Sequence, residues 1–123
     1  MMKTAVVGKA TASLGKHLIA ELWTDSSMLL NDENHVRKAM IAAANAADVT
    51  IIDMNVHKFS PHGLTGYILL SESHISIHTW PEYGYAAVDI FTCGGKPKNA
   101  LEEFKKLLRA NRMEVKSLDR GTI

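Results

Sequence analysis

The chain has very little cysteine. Cys93 stands alone among 123 residues, so an internal disulfide and a cysteine-rich zinc module are both excluded. A lone thiol fits a reducing compartment, and the cytoplasm is the expected location. Charge of one sign is also missing. Fourteen Lys and Arg face 13 Asp and Glu, which leaves no strong field for nucleic acid or an anionic membrane surface. No apolar run approaches the roughly 20 residues that a membrane-spanning helix needs. The opening M-M-K-T-A-V-V-G-K-A-T-A has the basic start of a secretory signal, but Lys9 interrupts its short apolar stretch. A mobile tail or edge strand is expected there instead. Repeats, low-complexity tracts and linkers are absent, and the length suits one domain spanning 1–123 with a core of its own.

What is present is concentrated in residues 71–94, S-E-S-H-I-S-I-H-T-W-P-E-Y-G-Y-A-A-V-D-I-F-T-C-G. Hydroxyls (Ser71, Ser73), imidazoles (His74, His78), carboxylates (Glu72, Glu82) and the thiol of Cys93 fall within one predicted β-hairpin. Pro81-Glu82-Tyr83-Gly84 has turn chemistry. A four-residue loop closed by Trp80 and Tyr85 sets His78 opposite Ala87, Ser76 opposite Asp89, His74 opposite Phe91 and Glu72 opposite Cys93. Opposed residues have Cβ atoms about 5 Å apart, so the thiol falls beside the Glu72–Ser73 peptide bond. His74 and His78 are spaced as a chelating pair on a helix. On a strand the same spacing is about 13 Å, too long for one ion, and no metal is expected.

Around the hairpin, Lys16–Trp23 reads as a strand. Asn31–Ala47 reads as a helix capped by Asn31 or Asp32, with Val36, Met40, Ala43, Ala44 and Ala47 on one stripe. Val49–Phe59 and Thr65–Leu70 read as strands around the turn signal Ser60-Pro61-His62-Gly63. Asn99 opens a second helix with Leu101, Phe104, Leu107 and Leu108 on one face, and Met113–Ser117 reads as a last strand. The order β-α-β-β-β-β-α-β predicts an α+β fold, a two-layer α/β sandwich with two helices on one face of an antiparallel sheet. The other face is then solvated or covered by a second copy.

The hairpin, the leading S-L-G-K-H-L and the segment H-K-F-x-P-x-G-x-T-G together resemble the small prokaryotic S-adenosylmethionine decarboxylase proenzymes, over nearly the whole chain from about Ser13. That family makes its own pyruvoyl cofactor by self-cleavage. The resemblance implies a cut between Glu72 and Ser73, giving a β chain, 1–72, and an α chain, 73–123, whose Ser73 becomes the pyruvoyl group. It makes Thr65 the donor to the oxyanion of self-cleavage, His78 the base and Cys93 the acid of turnover. It sets Phe59 against the adenine ring and Glu82 near the ribose hydroxyls. It implies S-adenosylmethionine as substrate, decarboxylated to the aminopropyl donor of spermidine synthesis, and a homodimer of αβ pairs with sites at the interface. Trp80, His17, His35, His57 and His62 receive no chemical role. The chain departs from the family pattern in its first dozen residues, in its ending soon after R-G, and in carrying Thr65 where many relatives have Ser. Two other readings stand beside this one: an arginine or ornithine decarboxylase on the same scaffold, and an unprocessed nucleoside-binding homologue.

Overall fold

The structure, a computed structural model, describes residues 12–71 and 73–123. The expectations for the N-terminal tail and for Glu72 lie outside the described residues. Among the described residues, six strands form one antiparallel sheet: β1 (Ser13–Thr24), β2 (Ile51–Lys58), β3 (Leu64–Leu70), β4 (Ser73–Trp80), β5 (Tyr85–Thr92) and β6 (Ala110–Thr122). Their spatial order is β2-β3-β4-β5-β1-β6. The two helices are α1 (Glu33–Ala46) and α2 (Pro97–Leu107). Element order and architecture are those of the predicted α+β sandwich.

Alternation in the strands decides which face carries the core. Leu18, Ala20 and Leu22 of β1, Ile75 and Ile77 of β4, and Val88 and Ile90 of β5 are buried. They meet Val36, Ala39, Met40 and Ala43 of α1 and Leu101 and Phe104 of α2. Phe104 is fully buried, a burial that stabilises by about 1.5–3 kcal/mol. The small residues of α1 let it lie close to the sheet. At Gly66, a Cβ would stand 2.7 Å from the Met40 sulfur, so glycine is what permits that approach. His35 ties the two helices together, its Nε2–H donating to the Leu107 carbonyl at 2.6 Å.

The structure separates the two candidate caps of α1. The Asp32 carboxylate accepts from the His35 amide at 3.0 Å and caps the helix, whereas Asn31 Oδ1 accepts from the Gly63 amide at 2.9 Å. The second helix starts earlier than Asn99. Pro97 occupies its first turn, where its fixed φ suits a helix and its missing N–H is no loss. The last strand runs far beyond Met113–Ser117. It pairs with β1 from Thr24↔Ala110 to Ser13↔Thr122, and as an exposed edge strand it carries no hydrophobic alternation to mark its ends.

The hairpin register is the predicted one. His74 faces Phe91, Ser76 faces Asp89, His78 faces Ala87 and Trp80 faces Tyr85.

Candidate active site

The face of the sheet away from the helices carries the imidazoles of the hairpin, whereas Ser73, at the start of β4, has the strand parity of the buried Ile75. His74, Ser76, His78 and Trp80 alternate with the buried Ile75, Ile77 and Thr79. On β3 the matching positions are Thr65, Tyr67 and Leu69, paired respectively with His78, Ser76 and His74. Thr65 Oγ1 and His78 Nδ1 are 3.0 Å apart, so the two residues assigned to self-cleavage are hydrogen-bonded to each other.

Phe59, Thr65, His78 and Glu82 all line one cavity of about 190 Å³, together with Trp80 and His62. Local sequence explains the convergence. The segment after β2 turns back on itself, with the Phe59 amide donating to the Gly63 carbonyl at 2.8 Å. Gly63 adopts φ +104°, a conformation that favours glycine. The buried Thr79 hydroxyl accepts from the Leu64 amide at 2.9 Å and donates to the Leu30 carbonyl at 2.8 Å. At the end of the loop that carries Glu82, Gly84 holds the hairpin on β1. Its carbonyl accepts from the Thr24 amide at 2.8 Å, and a Cβ there would meet the Thr24 oxygen at 2.5 Å.

Ser73 and Cys93 line a different cavity, of about 270 Å³, with Asp48, Thr50, Leu70 and Gly95. Ser73 opens β4 opposite Leu70, and the exposed Cys93 follows the end of β5. Gly95 shapes the turn beyond Cys93, with φ +74°. A Cβ at Gly95 would lie 2.5 Å from the Ala47 carbonyl oxygen, which also accepts from the Lys96 amide at 2.8 Å. The predicted residues therefore form two groups at opposite ends of β4. Ser73 and His78 are five residues apart on an extended strand, about 16 Å, and His78 cannot reach Ser73 within one chain.

A family model described as S-adenosylmethionine decarboxylase matches residues 16–121. The chain belongs to the S-adenosylmethionine decarboxylase family. It is 50% identical over 112 residues to the S-adenosylmethionine decarboxylase proenzyme of Methanococcus maripaludis, covering 89% of this chain and 92% of that one. It is 44% identical over 111 residues to the proenzyme of Thermotoga petrophila, covering 89% and 85%. The crystal structure of the adenosylmethionine decarboxylase from Aquifex aeolicus superposes with a TM-score of 0.84 at 35% identity, covering 90% of this chain and 93% of that one. Family membership of a proenzyme kind implies self-processing. No helix among the described residues is long and apolar enough to cross a membrane.

The family motif left several residues at this face without a role. His62 lines the Glu82 cavity and pairs with Glu82, Nε2 to Oε2 3.3 Å. Only a fold that brings two loops together reveals that pairing, since the residues lie on separate turns. His17 Nδ1 accepts from Arg120 at 3.2 Å, and its Nε2–H donates to Asp89 at 3.3 Å. The chain order Arg120–His17–Asp89 spans three strands and has no local sequence signal. Nearby, Tyr85 donates to Glu21. Burial, followed by that hydrogen bond and charge, pushes the Tyr85 hydroxyl up from 10.0 to about 12.

Proposed function

We propose that this chain is a self-processing, pyruvoyl-dependent decarboxylase of S-adenosylmethionine, that it cuts itself between Glu72 and Ser73, and that it works as a dimer whose sites join the two ends of β4. The observation that carries the reading is the division of the site residues into two cavities, one holding Ser73 and Cys93, the other Phe59, Thr65, His78 and Glu82. Each half lacks what the other has. A two-fold axis crossing the strands near Ser76, with the exposed sheet faces together, lays the Ser73 end of one chain over the His78 end of its partner. Tyr67, Leu69, Trp80 and Leu118 are large apolar side chains left at 40–45% exposure, and the first three lie on that face by their strand parity, as does Leu118 opposite His17.

In self-cleavage the Ser73 hydroxyl attacks the carbonyl carbon of Glu72. The C–N bond breaks and an ester forms. The hydrogen bond between Thr65 and His78 suits the next demands. With Nδ1–H donating to Thr65 Oγ1, the Thr65 O–H is left to stabilise the oxyanion, a service worth about 3 kcal/mol. The same tautomer leaves the Nε2 lone pair of His78 to take the Ser73 α-proton, expelling the Glu72 carboxylate. Hydrolysis of the resulting dehydroalanine releases ammonia and leaves the pyruvoyl group. The Ser73 cavity, about 270 Å³, has room for a small acyl group beside Cys93.

That group supplies an electron-accepting ketone for the substrate amine. Phe59 offers an aromatic face to the adenine, and Glu82 offers lone pairs to the ribose diol. Once the carboxyl group has left, Cys93 Sγ returns a proton to the substrate α-carbon.

Release of carbon dioxide from carboxyl-labelled S-adenosylmethionine, arginine and ornithine, compared in parallel, tests the substrate. Release from S-adenosylmethionine alone is expected. Preference for either amino acid would transfer the assignment to the sister activity.

A further inference from the structure

The contact between His62 and Glu82, Nε2 to Oε2 3.3 Å, joins two loops that sequence keeps twenty residues apart. It also stands at a junction. His62 and Glu82 are the two residues shared by the cavity of about 190 Å³ and a larger neighbouring one of about 840 Å³ lined by Asn31, Asp32 and Lys58. We propose that His62 is a positioning residue: its imidazole holds the Glu82 carboxylate by one oxygen, so that the other is presented to the cis-diol of a nucleoside in the smaller cavity. This rests on the reading of Glu82 as a ribose contact given above.

Three features support it. The backbone that carries His62 is held on both sides, by Phe59 to Gly63 and by Gly63 to Asn31, so the ring has a defined origin. The ring nitrogen reaches Oε2, at 3.3 Å. A carboxylate has acceptor sites on both oxygens, so Oε1 remains for a ligand. Finally, both side chains are near 40% exposed. A glutamate so exposed on a turn, without a neighbour to hold it, samples several rotamers and loses that freedom on binding. His62 removes this cost beforehand.

The test compares wild type with His62→Ala and His62→Gln. Three quantities are measured: self-cleavage, steady-state kinetics with S-adenosylmethionine, and calorimetric binding of adenosine against 3′-deoxyadenosine. In H62A, cleavage and kcat should stay within about twofold, while KM rises about five- to tenfold, the pattern of lost uniform binding. The amide of H62Q can still donate to the carboxylate and should recover most of that loss. Wild type should prefer adenosine over its 3′-deoxy counterpart, and H62A should lose the preference. An unchanged KM, or an undiminished preference in H62A, would overturn the proposal. So would a joint loss of cleavage, kcat and KM, because the loop that carries His62 also carries Phe59 and leads into Thr65, and its collapse would damage all three. A wild type that prefers the diol but decarboxylates only arginine or ornithine would overturn the functional reading and leave this one standing.

Discussion

The Tyr85 hydroxyl, at the start of β5, holds its proton against Glu21. Its folded-state pKa of about 12 exceeds the value near 10 of an unfolded tyrosine, so the folded chain binds this proton more tightly. The resulting stabilisation is complete below about pH 10 and is lost as pH climbs through about 12. Absorbance titration of tyrosinate, in a variant lacking Tyr67 and Tyr83, should place Tyr85 near pH 12. Glu21→Gln should lower it but leave it above 10, since burial is the larger cause. A midpoint at 10 in the parent would contradict this placement of Tyr85. At the same scale, Ser73, His78, Cys93, Phe59 and Glu82 could be put forward from the sequence because the motifs that hold them are long and odd in composition. Their distribution was not. Alternation tells which face a residue occupies, but the separation of Ser73 from His78 becomes a constraint only once both are known to lie on one unbroken strand. His62 was illegible because its meaning depends on a partner on another loop.

Among elements, the turn after β5 decides where Cys93 sits. Gly94 and Gly95 are adjacent and chemically identical, yet they differ in what they do. Gly95 has φ +74° and no space for a Cβ against Ala47, while Gly94 has nothing within 4 Å. Gly95→Ala should therefore lower stability by more than about 1–2 kcal/mol, the strain of an L-residue in that region with the clash added. Gly94→Ala should change it by about 0.5 kcal/mol or less. Urea unfolding of the two variants measures the contrast, and equal midpoints would refute the geometry of the turn. The hairpin register was readable in advance because a proline- and glycine-marked loop joined two runs of strict alternation. The edge strand β6 was not, since its residues are exposed almost throughout and leave no apolar period. Its pairing with β1 at the other end of the chain is set by tertiary contacts alone.

For the whole molecule, the account requires two copies. Ser73→Ala and His78→Ala variants should each fail to cleave when made alone. Co-expressed, they form dimers in which Ser73 of the H78A chain meets the intact His78 of its partner, so the H78A chain, and it alone, should be cut. Electrophoresis with differently tagged chains reads this directly, and an H78A chain that stays whole in the mixture would contradict the shared site. The two-layer architecture was legible from helix stripes that cover one sheet face, and so was the question of what covers the other. The division of the site residues between two cavities, on which the proposal of a second copy rests, required the folded chain.

Mass spectrometry of the purified protein under denaturing conditions tests self-cleavage most directly. The account predicts two fragments, 1–72 with an ordinary carboxyl terminus and 73–123 with a blocked amino terminus. Their summed mass should equal that of the chain plus one water less one ammonia, and borohydride should add two hydrogens to the second fragment. A single chain of unaltered mass, unreactive to borohydride after prolonged incubation, would contradict it.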